Sequence, residues 1–268
     1  MSRPARILRL TLVGLTLSIA LVLIMLFALQ RQMIYPGTGP DDGSWAAPPP
    51  GYQTVKLRTA DGLALNALYR APEDGAKTLI FFHGNGDSAL NSSISFEPVL
   101  AKGQGALMVS YRGYAGNPGT PGEDGLYADG EAGLDFLRAQ GIADSQIVVG
   151  GFSLGTGIAS HVATKGDFAG LLLAAPFSAL VDVAGEHFPF LPTGMIIRDR
   201  YLTRDRLTDS KAPLLIVHGE KDGIIPVAHG RRLAALRPDA TFATFAAAGH
   251  NDVGHHSMET VRDWFQAL

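Results

Sequence analysis

The apolar positions of this chain follow three different patterns. Residues 10–29 are twenty consecutive uncharged residues rich in Leu, Ile and Val, interrupted only by Thr11, Gly14, Thr16 and Ser18. That is the length a helix needs to cross a hydrocarbon core of about 30 Å. Residues 53–57 and 63–69 instead alternate apolar with polar and meet across Asp61-Gly62, which predicts a β-hairpin. From residue 78 onward, short buried-type runs at 78–82, 106–110, 147–149, 170–175, 214–217 and 241–245 are separated by segments with helical spacing. Strands alternating with helices predict right-handed crossovers and a mostly parallel sheet with helices on both faces.

These patterns divide the chain into an N-terminal membrane anchor at 1–31, a tether at 32–51 and an α/β domain at 52–268. The tether is short, partly extended and carries Pro40, Gly43 and Pro48-Pro49-Pro50. The apolar span runs straight into Gln30-Arg31-Gln32 without a small-residue cleavage pattern, which favours an uncleaved signal anchor; secretion after signal-peptide cleavage is the alternative. Arg3, Arg6 and Arg9 precede the span and only Arg31 closely follows it. The positive-inside rule then puts the N-terminus in the cytoplasm and the α/β domain outside, in a bacterium the periplasm.

Composition narrows the partners. With 46% hydrophobic and 18% charged residues the chain has the means to build a core. Setting aside the four arginines of residues 1–31 lowers 22 Lys+Arg to 18 against 25 Asp+Glu, a formal charge of −7 on the remainder. An acidic domain with no basic stripe argues against nucleic acid as partner. The chain has no cysteine, so disulfides, thiol nucleophiles and zinc-thiolate sites are excluded.

In open α/β sheets ligands bind beyond the carboxyl ends of the strands, so candidate chemistry belongs just after the apolar runs. Gly151-Phe152-Ser153-Leu154-Gly155 follows one run and precedes a helical segment. A G-x-S-x-G at a strand-to-helix turn lifts the serine hydroxyl above the sheet edge, and its glycines let strand and helix pass closely. The turn also puts the Leu154 N–H at a helix N-terminus, where an oxyanion is stabilised. His83-Gly84-Asn85-Gly86-Asp87 follows the run at 78–82, and the Asn85 N–H is the expected second oxyanion donor. Asp222, in the Gly-containing loop after 214–217, is the candidate acid ahead of Glu220, Asp209 and Asp252. His250, behind Gly249 after the last run, is the candidate base ahead of His255 and His256. Serine, then acid, then histidine is the order of a Ser-Asp-His triad, in which Ser153 attacks an acyl carbonyl once His250 takes its proton and Asp222 fixes the imidazole.

Other residues near these loops have structural readings. His83 is expected to brace its loop, Asp87 to cap the next helix, and Arg112 to pair with a carboxylate; Tyr114 either lines the pocket or packs. Between Pro176 and Lys211 lies an insertion, about 177–211, too long for a tight crossover. Its Phe188-Pro189-Phe190-Leu191-Pro192 and Met195-Ile196-Ile197 suit a small helical lid over the serine, and Arg198-Asp199-Arg200 with Arg204-Asp205-Arg206 suit a self-paired solvated face.

With Gly-Phe-Ser-Leu-Gly at 151–155, His-Gly-Asn-Gly at 83–86, Tyr-Arg-Gly-Tyr at 111–114, His-Gly-Glu-Lys-Asp at 218–222 and Gly-His at 249–250, the chain resembles the alpha/beta hydrolases. More narrowly, it resembles single-pass membrane-anchored alpha/beta-hydrolase-domain proteins, near the serine aminopeptidase S33 and monoacylglycerol lipase-like enzymes. The resemblance implies Ser153, Asp222 and His250 as the triad, Asn85 and Leu154 as oxyanion donors, and no metal or organic cofactor. Hydrolysis of carboxylic esters or thioesters with lipophilic acyl groups is the leading expectation. An aminopeptidase or amidase is the alternative and needs an acidic group for the substrate amine, for which Glu186 in the insertion is the candidate. A non-catalytic membrane-anchored binding module is the third reading.

Overall fold

The computed structural model describes every residue except Met1, Ser2, Asp42, Ser44 and Lys102. A long helix α1 (Arg3–Ile34) leads into the hairpin β1 (Gln53–Arg58) and β2 (Ala64–Arg70), whose antiparallel register sets Val55 opposite Ala67. The chain then alternates: β3 (Thr78–Phe82), α2 (Ala89–Phe96), β4 (Gly105–Val109), α3 (Glu123–Ala139), β5 (Ile147–Phe152), α4 (Leu154–Val162) and β6 (Gly170–Ala174). The insertion follows as three short helices, α5 (Leu180–His187), α6 (Thr193–Ile196) and α7 (Thr203–Leu207). After it come β7 (Leu214–Gly219), α8 (Ala228–Leu236), β8 (Thr241–Phe245) and α9 (Val253–Ala267).

The eight strands form one sheet in the order β1-β2-β4-β3-β5-β6-β7-β8, antiparallel at β1/β2 and β2/β4 and parallel elsewhere. Strands β3, β4, β6 and β7 are buried at every position, because helices cover both faces. On one face Ile80, Leu107 and Val149 pack against Leu126 and Leu134 of α3, Ile158 of α4 and Leu233 of α8. On the other, Leu79, Met108 and Val148 pack against Ala89 of α2 and Phe265 of α9. From β3 the next strand in the chain lies to one side and β5 to the other, so the strand order reverses there. The loops after β3 and β5 therefore diverge and leave a crevice at their carboxyl ends.

Two segments differ from their expected form. Helix α1 runs three residues past the expected anchor boundary, and the stretch read as a tether lies against the domain. Tyr35 is buried in the main core, Gly37 N–H donates to the Asn85 carbonyl at 3.1 Å, and the Trp45 indole donates to the Ala115 carbonyl at 2.7 Å. The cap of α2 is Ser88, extended at φ −141° and accepting from Asn91 N–H at 3.1 Å; Asp87 sits one residue earlier and binds the Ser88 N–H.

Candidate active site

The turn between β5 and α4 explains its own sequence. Ser153 sits at φ 51° and ψ −117°, a backbone region that costs a non-glycine residue on the order of 1–3 kcal/mol. The turn is held by Ser153 N–H on the Ala174 carbonyl at 2.9 Å and by the Thr156 N–H and hydroxyl on the Ser153 carbonyl at 3.0 and 2.6 Å. A Cβ on Gly151 would collide with the Gly155 carbonyl, and one on Gly155 with the Phe82 carbonyl. Both glycines are required by close backbone approach rather than by turn propensity.

The structure brings Ser153, His250 and Asp222 together. His250 Nε2 lies 2.9 Å from Ser153 Oγ and its Nδ1 2.7 Å from Asp222 Oδ2, with all three residues buried. Because an ionised carboxylate only accepts, Nδ1 carries the proton and Nε2 is free to take the serine's. The other Asp222 oxygen accepts from the Ile224 and Ile225 N–H groups at 2.9 and 2.7 Å. Burial opposes ionisation of Asp222, but hydrogen bonds from His218, His250 and Ile225 outweigh it and hold the carboxyl well below the usual range. The loops bearing Asp222 and His250 are pinned to each other by Lys221 N–H on the Ala248 carbonyl at 2.9 Å.

The loop after β3 faces the serine from the opposite side. A Cβ on Gly84 would lie 3.6 Å from that of Ser153, so the backbone entering Asn85 passes close beside the serine side chain. The Leu154 N–H is the first of α4 and has no carbonyl four residues back to bind. Asn85 is fixed through its other groups: its carbonyl accepts from Gly37 N–H and from the Tyr114 hydroxyl at 3.0 Å, and its side-chain amide donates to the Ile34 carbonyl at 3.1 Å. His83 does brace this loop, its Nδ1 2.7 Å from the Gly84 carbonyl and its ring against Tyr111 and Tyr114; burial pushes its pKa down, so it is held neutral.

Ser153 and His250 open into a cavity of about 670 Å³ whose walls are mostly apolar. The insertion supplies Leu180, Val183, Phe188, Leu191 and Ile196, which is the lid the sequence predicts. Such a volume falls in the range of about 300–1,000 Å³ typical of sites that enclose a small molecule.

The comparisons with known proteins agree with this architecture. Residues 79–207 match the model of the alpha/beta hydrolase family. The alpha/beta hydrolase domain-containing protein WAV2 of Arabidopsis thaliana is 30% identical over 225 residues, 75% of this chain and 73% of that protein. The chain belongs to the alpha/beta hydrolase family. An uncharacterized relative, Rv2307c of Mycobacterium tuberculosis, is 32% identical over 86% of this chain and 84% of its own length. The crystal structure of an alpha-beta hydrolase from Vibrio vulnificus superposes with a TM-score of 0.73 at 20% identity, covering 90% of this chain and 92% of that one.

Within this alpha/beta hydrolase frame the remaining candidates sort by contact. Arg112 pairs with Asp129 and Asp61, both at 2.7 Å, and Tyr114 packs in the core, where it braces Asn85 without itself lining the cavity. Glu186 is engaged by His229 and Arg232 at 3.2 and 3.0 Å and does not line the cavity. His255 and His256 lie exposed on α9. The Arg/Asp run is only partly self-paired: Arg204 meets Asp205, but Asp199 is buried and bound by Arg31 of α1. Two contributions escaped the sequence reading. His218, fully buried at the end of β7, donates from Nε2 to the Ile225 carbonyl at 2.8 Å and lies 3.3 Å from Asp222 Oδ2, steadying the acid from beneath. Its signal was a histidine closing a strand four residues before that acid. Leu26, Gln30, Met33 and Ile34 of α1 line the cavity as well, and no local pattern announces this.

Proposed function

We propose that this hydrolase-family chain is a serine hydrolase that cleaves carboxylic esters or thioesters of lipophilic acids and is held at a membrane by α1. The observation that carries the reading is the Ser153 hydroxyl within 2.9 Å of His250 Nε2 at the floor of an apolar cavity, with Asp222 behind the imidazole. As Ser153 Oγ bonds to the acyl carbon, its proton passes to His250 Nε2 and the carbonyl electrons move onto oxygen. The Leu154 and Asn85 N–H groups then hold that oxyanion, each donor being worth about 3 kcal/mol. The tetrahedral intermediate collapses by breaking the bond to the leaving alcohol or thiol, which takes the proton from His250. Water next gives a proton to the same nitrogen and attacks the acyl-enzyme, releasing the acid and restoring Ser153. Asp222, kept ionised, stabilises the imidazolium formed in each half.

Mostly apolar walls favour an acyl chain over a charged amine; Glu186 is occupied elsewhere, and Asp87, the carboxylate in the lining, already accepts from the Ser88 N–H and the Asn91 amide. The uncharged stretch 10–29 of α1, with outward apolar side chains and with Arg3, Arg6 and Arg9 ahead of it, supports a span with the N-terminus in the cytoplasm and the domain outside. The test is hydrolysis of p-nitrophenyl esters by the purified full chain. Ser153→Ala is expected to lower kcat by about 10⁴-fold or more and to abolish fluorophosphonate labelling. Undiminished turnover and labelling in that variant would overturn the assignment.

A further inference from the structure

The end of α1 does more than connect a span to a domain. Leu23, Leu26, Gln30 and Ile34 fall three and four residues apart, on one face of the helix, and are half-buried while most of their neighbours are exposed. That face closes the cavity: Leu26, Gln30, Met33 and Ile34 line the same space as Ser153 and His250. The contact is fastened to the insertion by polar bonds. The Gln30 side chain donates to the Ile196 carbonyl at 3.1 Å and accepts from Arg198 N–H at 2.7 Å. Arg31 holds buried Asp199 through two bonds of 3.1 Å, the Tyr35 hydroxyl reaches the same carboxylate at 2.9 Å, and the Arg198 guanidinium lies 4.1 Å over the Phe27 ring.

Depth along the helix gives this wall a meaning. The apolar run ends at residue 29, before Gln30 and Arg31, so a hydrocarbon core spanned by residues 10–29 ends there too. Leu26 then lies about 4–5 Å inside that boundary at 1.5 Å of rise per residue. The cavity therefore reaches from the serine to a depth occupied by lipid chains. On the insertion, Phe190 and Met195 are 98% and 87% exposed; Met195 directly precedes Ile196, whose carbonyl binds Gln30. Large apolar side chains bared beside the end of a membrane span have the bilayer interface as their matching environment.

We propose that the final turns of α1 form one wall of the acyl site, and that the cavity takes its substrate from the bilayer: a lipid ester whose acyl chain enters between α1 and the tip of the insertion. The inference rests on the serine-hydrolase and membrane-span readings above. It makes the anchor a specificity element. A side chain that fills the space beside Leu26 or Met33 shortens the accepted chain, and a substrate in the same leaflet is favoured over one that must arrive through water.

The experiment uses the full chain reconstituted in phosphatidylcholine vesicles, with 4-methylumbelliferyl palmitate and butyrate as probes and fluorophosphonate labelling of Ser153 as the control for an intact site. Leu26→Trp and Met33→Trp are each expected to lower the palmitate-to-butyrate ratio of kcat/KM at least tenfold. Leu21→Trp, on the same helix but outside the cavity, leaves the ratio as it was. Palmitate in the enzyme's own vesicles is expected to turn over at least tenfold faster than palmitate supplied in separate vesicles. A smaller change in the ratio in both cavity variants, with labelling retained, overturns the wall; equal rates from the two vesicle populations overturn entry from the bilayer. If the wild-type chain is not labelled, the serine-hydrolase reading itself fails, and if alkaline carbonate extracts the chain from membranes, the span reading fails; the inference falls with either.

Discussion

The floor of the cavity and its outer wall are built on different principles. The floor is made of turns that each follow a strand: Ser153 after β5, Asn85 after β3, Asp222 after β7 and His250 after β8. Its geometry is set by the sheet, whose parallel register brings four loops to one edge, and by backbone approaches that admit only glycine at 151 and 155. The wall is made of a helix end and an insertion that begins more than 140 residues later in the chain, joined by Asp199 to Arg31 and Tyr35, 168 and 164 residues before it. On the proposed reading, floor residues hold atoms in place for bond making, whereas wall residues set what fits above them. Damage to the floor should cost rate, and damage to the wall should cost selectivity.

Three substitutions sharpen that contrast, beginning with the largest effect. Asp222→Asn leaves the shape of the floor but removes the charge that fixes the His250 tautomer, and kcat on a short ester is expected to fall about 10³-fold or more with little change in KM. The same change alters acid stability with a definite sign. Because the folded Asp222 titrates below its unfolded value, its stabilisation is fully present above about pH 4 and is lost as pH falls toward the depressed folded value. Melting temperature measured from pH 5 downward should therefore decline less steeply in Asp222→Asn than in the wild type.

Gly155→Ala comes next. Its methyl group has no room against the Phe82 carbonyl, and the backbone at the floor must move to admit it. A loss of about 3 kcal/mol in urea unfolding, or failure to fold, is expected. Near-wild-type stability would mean that the elbow is looser than its geometry implies.

Asp199→Ala tests the wall. It removes the shared acceptor of Arg31, the Tyr35 hydroxyl and the Glu123 N–H. Arg31 is 42% exposed, so the ion pair alone contributes little; the orphaned buried donors dominate, and about 2 kcal/mol of destabilisation is expected. The palmitate-to-butyrate ratio should fall by more than the butyrate rate does. An equal fall in both would place Asp199 with the floor and dissolve the distinction.

The same division marks what the sequence discloses. Strand ends carry local signals, apolar runs closed by Gly-rich loops, so Ser153, Asn85, Asp222 and His250 could each be nominated from a few neighbouring residues and their order in the chain. The hairpin at Asp61-Gly62 and the parallel runs were legible for the same reason. Strand order was not: that β4 lies between β2 and β3 depends on which way each crossover turns. The role of the α1 end was hidden because an apolar helix reads as a span at every position, and nothing in residues 26–34 states that one face meets an insertion near residue 196. Tyr35, placed in a tether by the proline- and glycine-rich stretch after it, is buried because its hydroxyl has Asp199 and Tyr201 to bind. His218 was passed over because its contact with Asp222 runs beneath the loop rather than along it.

The most direct measurement is peptide mapping by mass spectrometry of the full chain after reaction with a long-chain alkyl fluorophosphonate. A single adduct on Ser153, formed by the wild type and lost in His250→Ala, is the predicted result. An adduct on another residue, or equal modification of Ser153 without His250, would contradict it.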